Sequence, residues 1–363
     1  MTTEIGNTSR LFALDIFRGG TVLLMILVNS TWGEDSFEML LHSEWNGITP
    51  CDFIFPVFIY IVGISCYLSL NKKEFKATNT VLIHITKRIV LLFLAGLVIN
   101  WAFLSIRETP TSFEHLRVWG PLQRIALCYG FVALFALYFN HKYIVHTIIF
   151  LLAIYTLLLI CGNGYSMDPQ TNILTKVDTL LFGYGHIYHR SPVDPEGLLG
   201  LIPSFANALL GFYCGKIICG KESIKDKLVL IFFCGTILLV AGYLMSYGMP
   251  INKKVWSPSF VLMSCGVASL ILASLIYIID IKEQTFYKKI LIAFGSNALA
   301  MYIISQLLLA VFIATGFCDW WYSIIYGFID SPKWSSLLFA ISNTCIYSMI
   351  GLYLYKHKLI LHI

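Results

Sequence analysis

Apolar positions in this chain gather into long runs separated by short polar connections, and the length of those runs is the first thing that carries structural meaning. A helix needs roughly 20 residues at about 1.5 Å each to cross some 30 Å of hydrocarbon. Ten runs reach that length: 11–32, 51–70, 86–106, 120–139, 143–161, 198–219, 228–247, 256–279, 288–316 and 335–355. The ninth is long enough to tilt or break, with the break expected near Gly316. The longest connection, 162–197, contains CGNGYSMDPQ and YGHIYHRSPVDPEG; its polarity and Gly/Pro punctuation suit a loop that covers something. No stretch reads as a separate soluble domain. The expected fold is an all-α polytopic membrane protein, a bundle of about ten transmembrane helices forming one domain over residues 1–363.

Composition agrees and narrows the function. Hydrophobic residues make up 58% and charged residues 12%, against about a quarter charged in soluble domains, and the mean hydropathy is +0.76. The formal net charge of +5 does not indicate nucleic acid, because the Lys and Arg residues lie in short clusters between apolar runs. Alternate connections differ sharply. One set holds Lys72, Lys73, Lys76, Lys87, Arg88, Lys216, Lys221, Lys225, Lys227 and Lys289 among others, including Arg10. The opposite set is sparse, and the connection at 33–50 has Glu34, Asp35, Glu38 and Glu44 with no Lys or Arg. By the positive-inside rule both termini are cytoplasmic and the 33–50 connection is extracytoplasmic. In a bacterial cell this places the chain in the inner (plasma) membrane, with the lipid bilayer as its main partner. The N-terminal run holds Asp15 and Arg18 and has no small-residue cleavage site, so it reads as a retained first helix. Ten cysteines without a CxxC pair or His/Cys metal spacing read as buried thiols, and no metal site is expected.

Polar groups inside such runs cost about 2.5 to 3.5 kcal/mol each near the bilayer centre and need a reason. Asp15 and Arg18, three residues apart, can form a structural ion pair or belong to a site. Arg124 in GPLQRIALCY has no local partner and must find one on another helix or on an anionic ligand. Asn29 and Asn297 can be interhelical glue, though Asn29 sits shortly before the richest polar segment, LLHSEWNGITPCDFIFP. There His42 is accompanied by Trp45, Asn46, Gly47 and Asp52. An imidazole with a reference pKa of about 6.5 can take a proton from an amine or hydroxyl, and an acidic residue at a helix start can orient it. A lone loop histidine is otherwise an ordinary bystander. Asp194 and Glu196, before the sixth span, can cap that helix or bind a polar or cationic substrate. Lys253, Lys254, Trp256 and Ser257, at the mouth of the eighth, form a further candidate cluster, with a membrane-interface anchor as the plain alternative for the tryptophan.

These segments resemble the heparan-alpha-glucosaminide N-acetyltransferase family and its bacterial NagX-like relatives. The matching pieces run in order through the chain: LDIFRG (14–19), LMILVNS (24–30), LLHSEWNGITPCDFIFPVFIYIVGIS (40–65), GPLQRIALCY (120–129), DPEGLLGLIPS (194–204), KKVWSPSFVL (253–262) and FGSNALAMY (294–302). The resemblance implies a transmembrane N-acetyltransferase that moves acetyl from acetyl-CoA to the amine of a glucosamine-type sugar on the extracytoplasmic side. His42 would be the general base or a transient acetyl carrier, with Asn29 and Asp52 beside it. The binding candidates are Asp15, Arg18, Trp45, Asn46, Arg124, Asp194, Glu196, Lys254, Trp256, Ser257 and Asn297. The sequence begins without the N-terminal extension of the lysosomal enzyme, so contacts built from that part are not expected, and a homodimer stays open. Two alternatives stand beside this reading: an amino-sugar transporter with Asp15, Arg18 and Arg124 at its midplane, and an O-acetyltransferase of envelope glycans.

Overall fold

The computed structural model describes residues 11–108, 111–284 and 288–359; Arg10, which entered the charge distribution, lies outside them. Thirteen α-helices follow one another among the described residues. They are α1 Phe12–Asn29, α2 Ile54–Asn71, α3 Asn79–Arg107, α4 Pro121–Tyr138, α5 Ile144–Cys161, α6 Ile173–Phe182, α7 Leu201–Ile218, α8 Ile224–Met245, α9 Pro258–Leu275, α10 Lys288–Ser296, α11 Ala298–Ala314, α12 Phe317–Ile329 and α13 Pro332–Lys356. Nine of the described segments are long and apolar enough to cross a membrane, and the α10–α11 pair makes a tenth if it counts as one span. Each predicted span falls on one of these elements except the ninth, 288–316, which covers both α10 and α11.

The ninth span breaks, but at Asn297 and not at Gly316. α10 and α11 meet there at 87°, and the Asn297 amide donates to the Leu359 carbonyl at 2.9 Å, which ties the elbow to the end of α13. Gly316, at φ +72°, instead turns the chain from α11 into α12. The helices α6 and α12 were not expected. They have 10 and 13 residues, too few to cross a bilayer, so a length criterion passes over them.

Burial sorts the spans into an inner and an outer set. Of α2 with its leading turn, α4 and α7, 72%, 67% and 61% of the apolar window is buried, whereas α3 and α8 reach only 17%. The two outer helices have a mean hydropathy of 2.5, against 1.4 for α4 and α7. The difference follows from the solvent: lipid-facing helices can expose only apolar side chains, while inner helices turn their polar groups toward one another.

Without a hydrophobic force between helices in lipid, close approach through small residues does the packing. A Cβ on Gly63 of α2 would lie 2.0 Å from the Ala208 carbonyl oxygen, and one on Gly211 of α7 would lie 2.0 Å from that of Tyr60. Asn207 of α7 donates a buried hydrogen bond from its side-chain amide to the Pro56 carbonyl at 3.1 Å. α2 is thereby locked onto α7, and the polar turn at the start of α2 inherits that rigidity.

Candidate active site

The chain reaches α2 through a 3₁₀ turn, Pro50–Phe53. Pro50 suits its first position because the missing N–H needs no partner there, and Thr49 precedes it in extended conformation. Asp52, fully buried, closes the turn: its Oδ2 accepts from the backbone N–H of Thr49 at 3.0 Å and of Ser43 at 3.2 Å. Its other oxygen, Oδ1, lies 2.8 Å from Nδ1 of His42. The imidazole is half exposed while the carboxylate beneath it is sealed. An Nδ1–H donated to Asp52 leaves Nε2 as the ring's proton-accepting nitrogen, which is the arrangement a general base requires.

A second loop closes on this pair from the far end of the sequence. Residues 251–257 fold around Asn252, whose Oδ1 accepts from Val255 N at 3.1 Å while its backbone N–H donates to Ser257 Oγ at 3.0 Å. Trp256 takes a left-handed φ of +53° to complete the turn. Asn46 and Gly47 hold this loop to the histidine segment: Asn252 Nδ2 donates to Asn46 Oδ1 at 3.1 Å, and Gly47 N–H to the Ile251 carbonyl at 2.8 Å. The result places Lys253 Nζ at 2.8 Å from Nδ1 and 3.1 Å from Nε2 of His42, and 3.5 Å from Asp52 Oδ1. The Cys51 thiol stands 3.0 Å from Nδ1.

These groups line a cavity of about 90 Å³ whose polar residues are Asn29, His42, Cys51, Glu196, Lys253 and Tyr302. Met25, Phe55 and Pro121 belong to its apolar side. That volume holds several water-sized groups, enough for an acetyl group and an attacking amine but not for a nucleotide.

Glu196 is held at the cavity by a charged network. Arg117 clamps Asp194 through Nε to Oδ2 at 3.1 Å and Nη2 to Oδ1, and reaches Glu196 Oε2 at 2.6 Å. Asp194, nearly fully buried, also accepts from the N–H groups of Tyr188 and Glu196 at 3.0 Å each. Burial would raise the Glu196 carboxyl, yet the guanidinium groups of Arg117 and Arg124 hold it below the usual range. Asp178 of α6, on the same network, goes the other way: burial, with the Asp194 charge, pushes it up to about 6 against the Leu198 N–H and the two guanidiniums. Its Oδ1 accepts from that N–H at 2.9 Å.

Of the residues singled out from the sequence, the fold gathers His42, Asn29 and Glu196 at the cavity, with Asp52 buried behind His42. Several others support it. Asp194 fixes the Arg117 clamp, Asn46 pins the Lys253 loop, and Ser257 caps α9 through Phe260 N–H at 3.3 Å. Trp45 is buried with its indole donating to the Tyr165 carbonyl at 3.1 Å. Trp256 is no interface anchor: it is 1% exposed, edge-on to Phe55, with the Arg124 guanidinium 4.7 Å over its ring. Arg124 itself is fully buried; it donates to the Gly197 carbonyl at 3.2 Å and feels the negative charge of Glu196 and Asp194.

Others stand away from the cavity. Arg18 pairs with Asp15 at 3.6 Å and donates to Ser65 Oγ at 2.7 Å, roughly 16 Å along α1 from Asn29 at 1.5 Å per residue. Asn297 serves the α10–α11 elbow. Lys254, next to the residue that touches His42, does not line the cavity, and burial lowers its ammonium. Cys51, Tyr302 and Arg117 are the site residues that the sequence reading left out, while Lys253 was named only as one member of a cluster. Cys51 and Tyr302 lie inside the segments singled out above, where no periodicity says which neighbour turns inward.

Fold and site together define a polytopic membrane protein with a histidine–carboxylate–lysine cluster at one end of its helix bundle. The family model described as "Heparan-alpha-glucosaminide N-acetyltransferase, catalytic" matches residues 10–242. The chain belongs to that family. It is 28% identical over 367 residues to the heparan-alpha-glucosaminide N-acetyltransferase of Mus musculus, covering 83% of this chain and 54% of the relative. To the enzyme of that name from Homo sapiens it is 29% identical over 360 residues, covering 81% and 52%. The chain thus spans about half the length of these curated relatives.

Proposed function

We propose that the protein is a transmembrane N-acetyltransferase that moves the acetyl group of acetyl-CoA to the amine of a glucosamine-type sugar. The observation that carries this reading is the His42–Asp52 pair, an imidazole backed by a sealed carboxylate and opening into a cavity of acetyl size, in a chain of this family.

Bound at this cavity, acetyl-CoA would supply an activated thioester carbonyl; the bulk of the molecule would have to lie outside the space described. Asp52 holds the imidazole so that Nε2 can take a proton from the acceptor amine as it attacks. Asn29, at the cavity wall, can donate its amide to the carbonyl oxygen as negative charge develops there. Glu196, ionised through Arg117 and Arg124, offers a carboxylate to an incoming ammonium. The same base could instead carry the acetyl group on its own ring before release. A hydroxyl acceptor would call on the same groups, so the acceptor is what most needs testing.

The charge distribution supports an orientation with the His42 end extracytoplasmic and the basic connections cytoplasmic. Acetyl donor and sugar would then approach from opposite sides and meet in the bundle. The test is consumption of the acetyl-CoA thioester by the purified protein with glucosamine, N-acetylglucosamine and muramyl-type sugars, followed by product analysis. N-acetylation of glucosamine supports the proposal. Ester products only would move it to O-acetylation, and amino-sugar uptake into vesicles without acetyl-CoA would favour a transporter.

A further inference from the structure

The nitrogen nearest the proposed base belongs to the protein itself. Lys253 Nζ is 3.1 Å from His42 Nε2 and 2.8 Å from Nδ1, where an acceptor amine must stand to give up its proton. Its side chain is 11% exposed and lines the acetyl-sized cavity, so a thioester carbonyl held in that cavity lies within its reach. The loop that carries it is held by Asn252, Asn46 and Gly47, which keeps the amine at the imidazole.

From this juxtaposition we propose that Lys253 is an internal acetyl acceptor, modified on Nζ when a thioester donor is bound and no sugar amine is present. The inference rests on the transferase reading above. In the step, Nζ passes a proton to His42 and bonds to the acetyl carbonyl carbon. The carbon–sulfur bond breaks, the CoA thiolate takes the proton held by His42, and the second ammonium proton goes to water. The products are an amide and a free thiol, with no oxidant or further reactant. Because an amide is not a thioester, the acetyl group stays, the ammonium beside Asp52 is lost, and the cavity is partly filled. A sugar amine competes for the same place, so the acceptor protects the enzyme from its own donor.

The experiment exposes the purified full-length protein to isotopically labelled acetyl-CoA alone, with glucosamine present in a parallel sample, and maps the label by peptide mass spectrometry after hydroxylamine treatment. The expected result is one hydroxylamine-resistant acetyl group on Lys253. Glucosamine should suppress it, and His42→Ala should slow its appearance by about 10²-fold or more. Activity measured after preincubation with acetyl-CoA alone should decline in step with the label, and Lys253→Arg should carry none at that position. An unmodified Lys253, a label equally strong on Lys254, or equal labelling in His42→Ala would overturn the proposal. If glucosamine is acetylated while Lys253 stays unmodified, this inference alone falls; if neither is acetylated, the transferase reading falls with it.

Discussion

At the scale of residues, the proposed chemistry rests on the contact between a half-exposed imidazole and a carboxylate sealed by backbone donors. Asp52 orients His42 through Nδ1, so Asp52→Asn keeps the shape of the turn but can favour the wrong tautomer. The expected outcome is a fall in kcat of about 10²-fold or more with a small change in acceptor KM, read by steady-state kinetics in matched preparations. Equal kcat would mean that Asp52 serves only the turn. His42 and Asp52 were legible as a group because they sit within one polar segment between apolar runs, and Asn29 because it ends the apolar run just before that segment. Lys253 was not separable from Lys254 by sequence. Which of two adjacent lysines faces the histidine depends on the turn around Asn252 and the positive φ of Trp256, and that turn is held to the histidine segment by Asn46 and Gly47, far earlier in the chain.

The elements explain how distant segments meet. α2 is locked on α7 by glycine contacts, the connection before α7 brings Asp194 and Glu196 to the cavity, and Arg117 before α4 clamps both carboxylates. Two guanidiniums, Arg117 and Arg124, face three carboxylates, Asp178, Asp194 and Glu196, and burial makes Asp178 a member that holds a proton more tightly than a free carboxyl. Its carboxyl stands at about 6, above its reference of 3.8. A raised value means the folded state holds the proton more tightly than the unfolded chain. The associated stability, about 3 kcal/mol at 1.36 kcal/mol per pKa unit, is present below pH 4 and is lost as pH rises through 6. Thermal unfolding in detergent should therefore show a Tm component that declines between about pH 4 and 6.5 and then levels off, and Asp178→Asn, which keeps the acceptor for Leu198 N–H, should remove it. An unchanged slope in that variant would place the titration elsewhere. The long spans were legible because apolar length alone specifies them. The short helices α6 and α12 and the elbow at Asn297 were not, since they depend on what the neighbouring helices and the end of α13 offer.

For the whole molecule, the inner helices α2, α4 and α7 pack through a largely apolar core with a few buried polar groups, inside a more exposed shell, and the site lies at one end of them. The orientation inferred from charge has a direct consequence: a periplasm-dependent phosphatase fused after Ser246 should be active, and one fused after Ser223 inactive. The reverse pattern would invert the membrane topology. The central claim is that this bundle carries acetyl from a cytoplasmic thioester to an amine through His42. Proteoliposomes given labelled acetyl-CoA on one face and glucosamine on the other test it most directly. Wild-type protein should form labelled N-acetylglucosamine, and a folded His42→Ala variant should form none above background. A His42→Ala protein that matches wild type, or a wild-type protein that transfers nothing, would contradict the account.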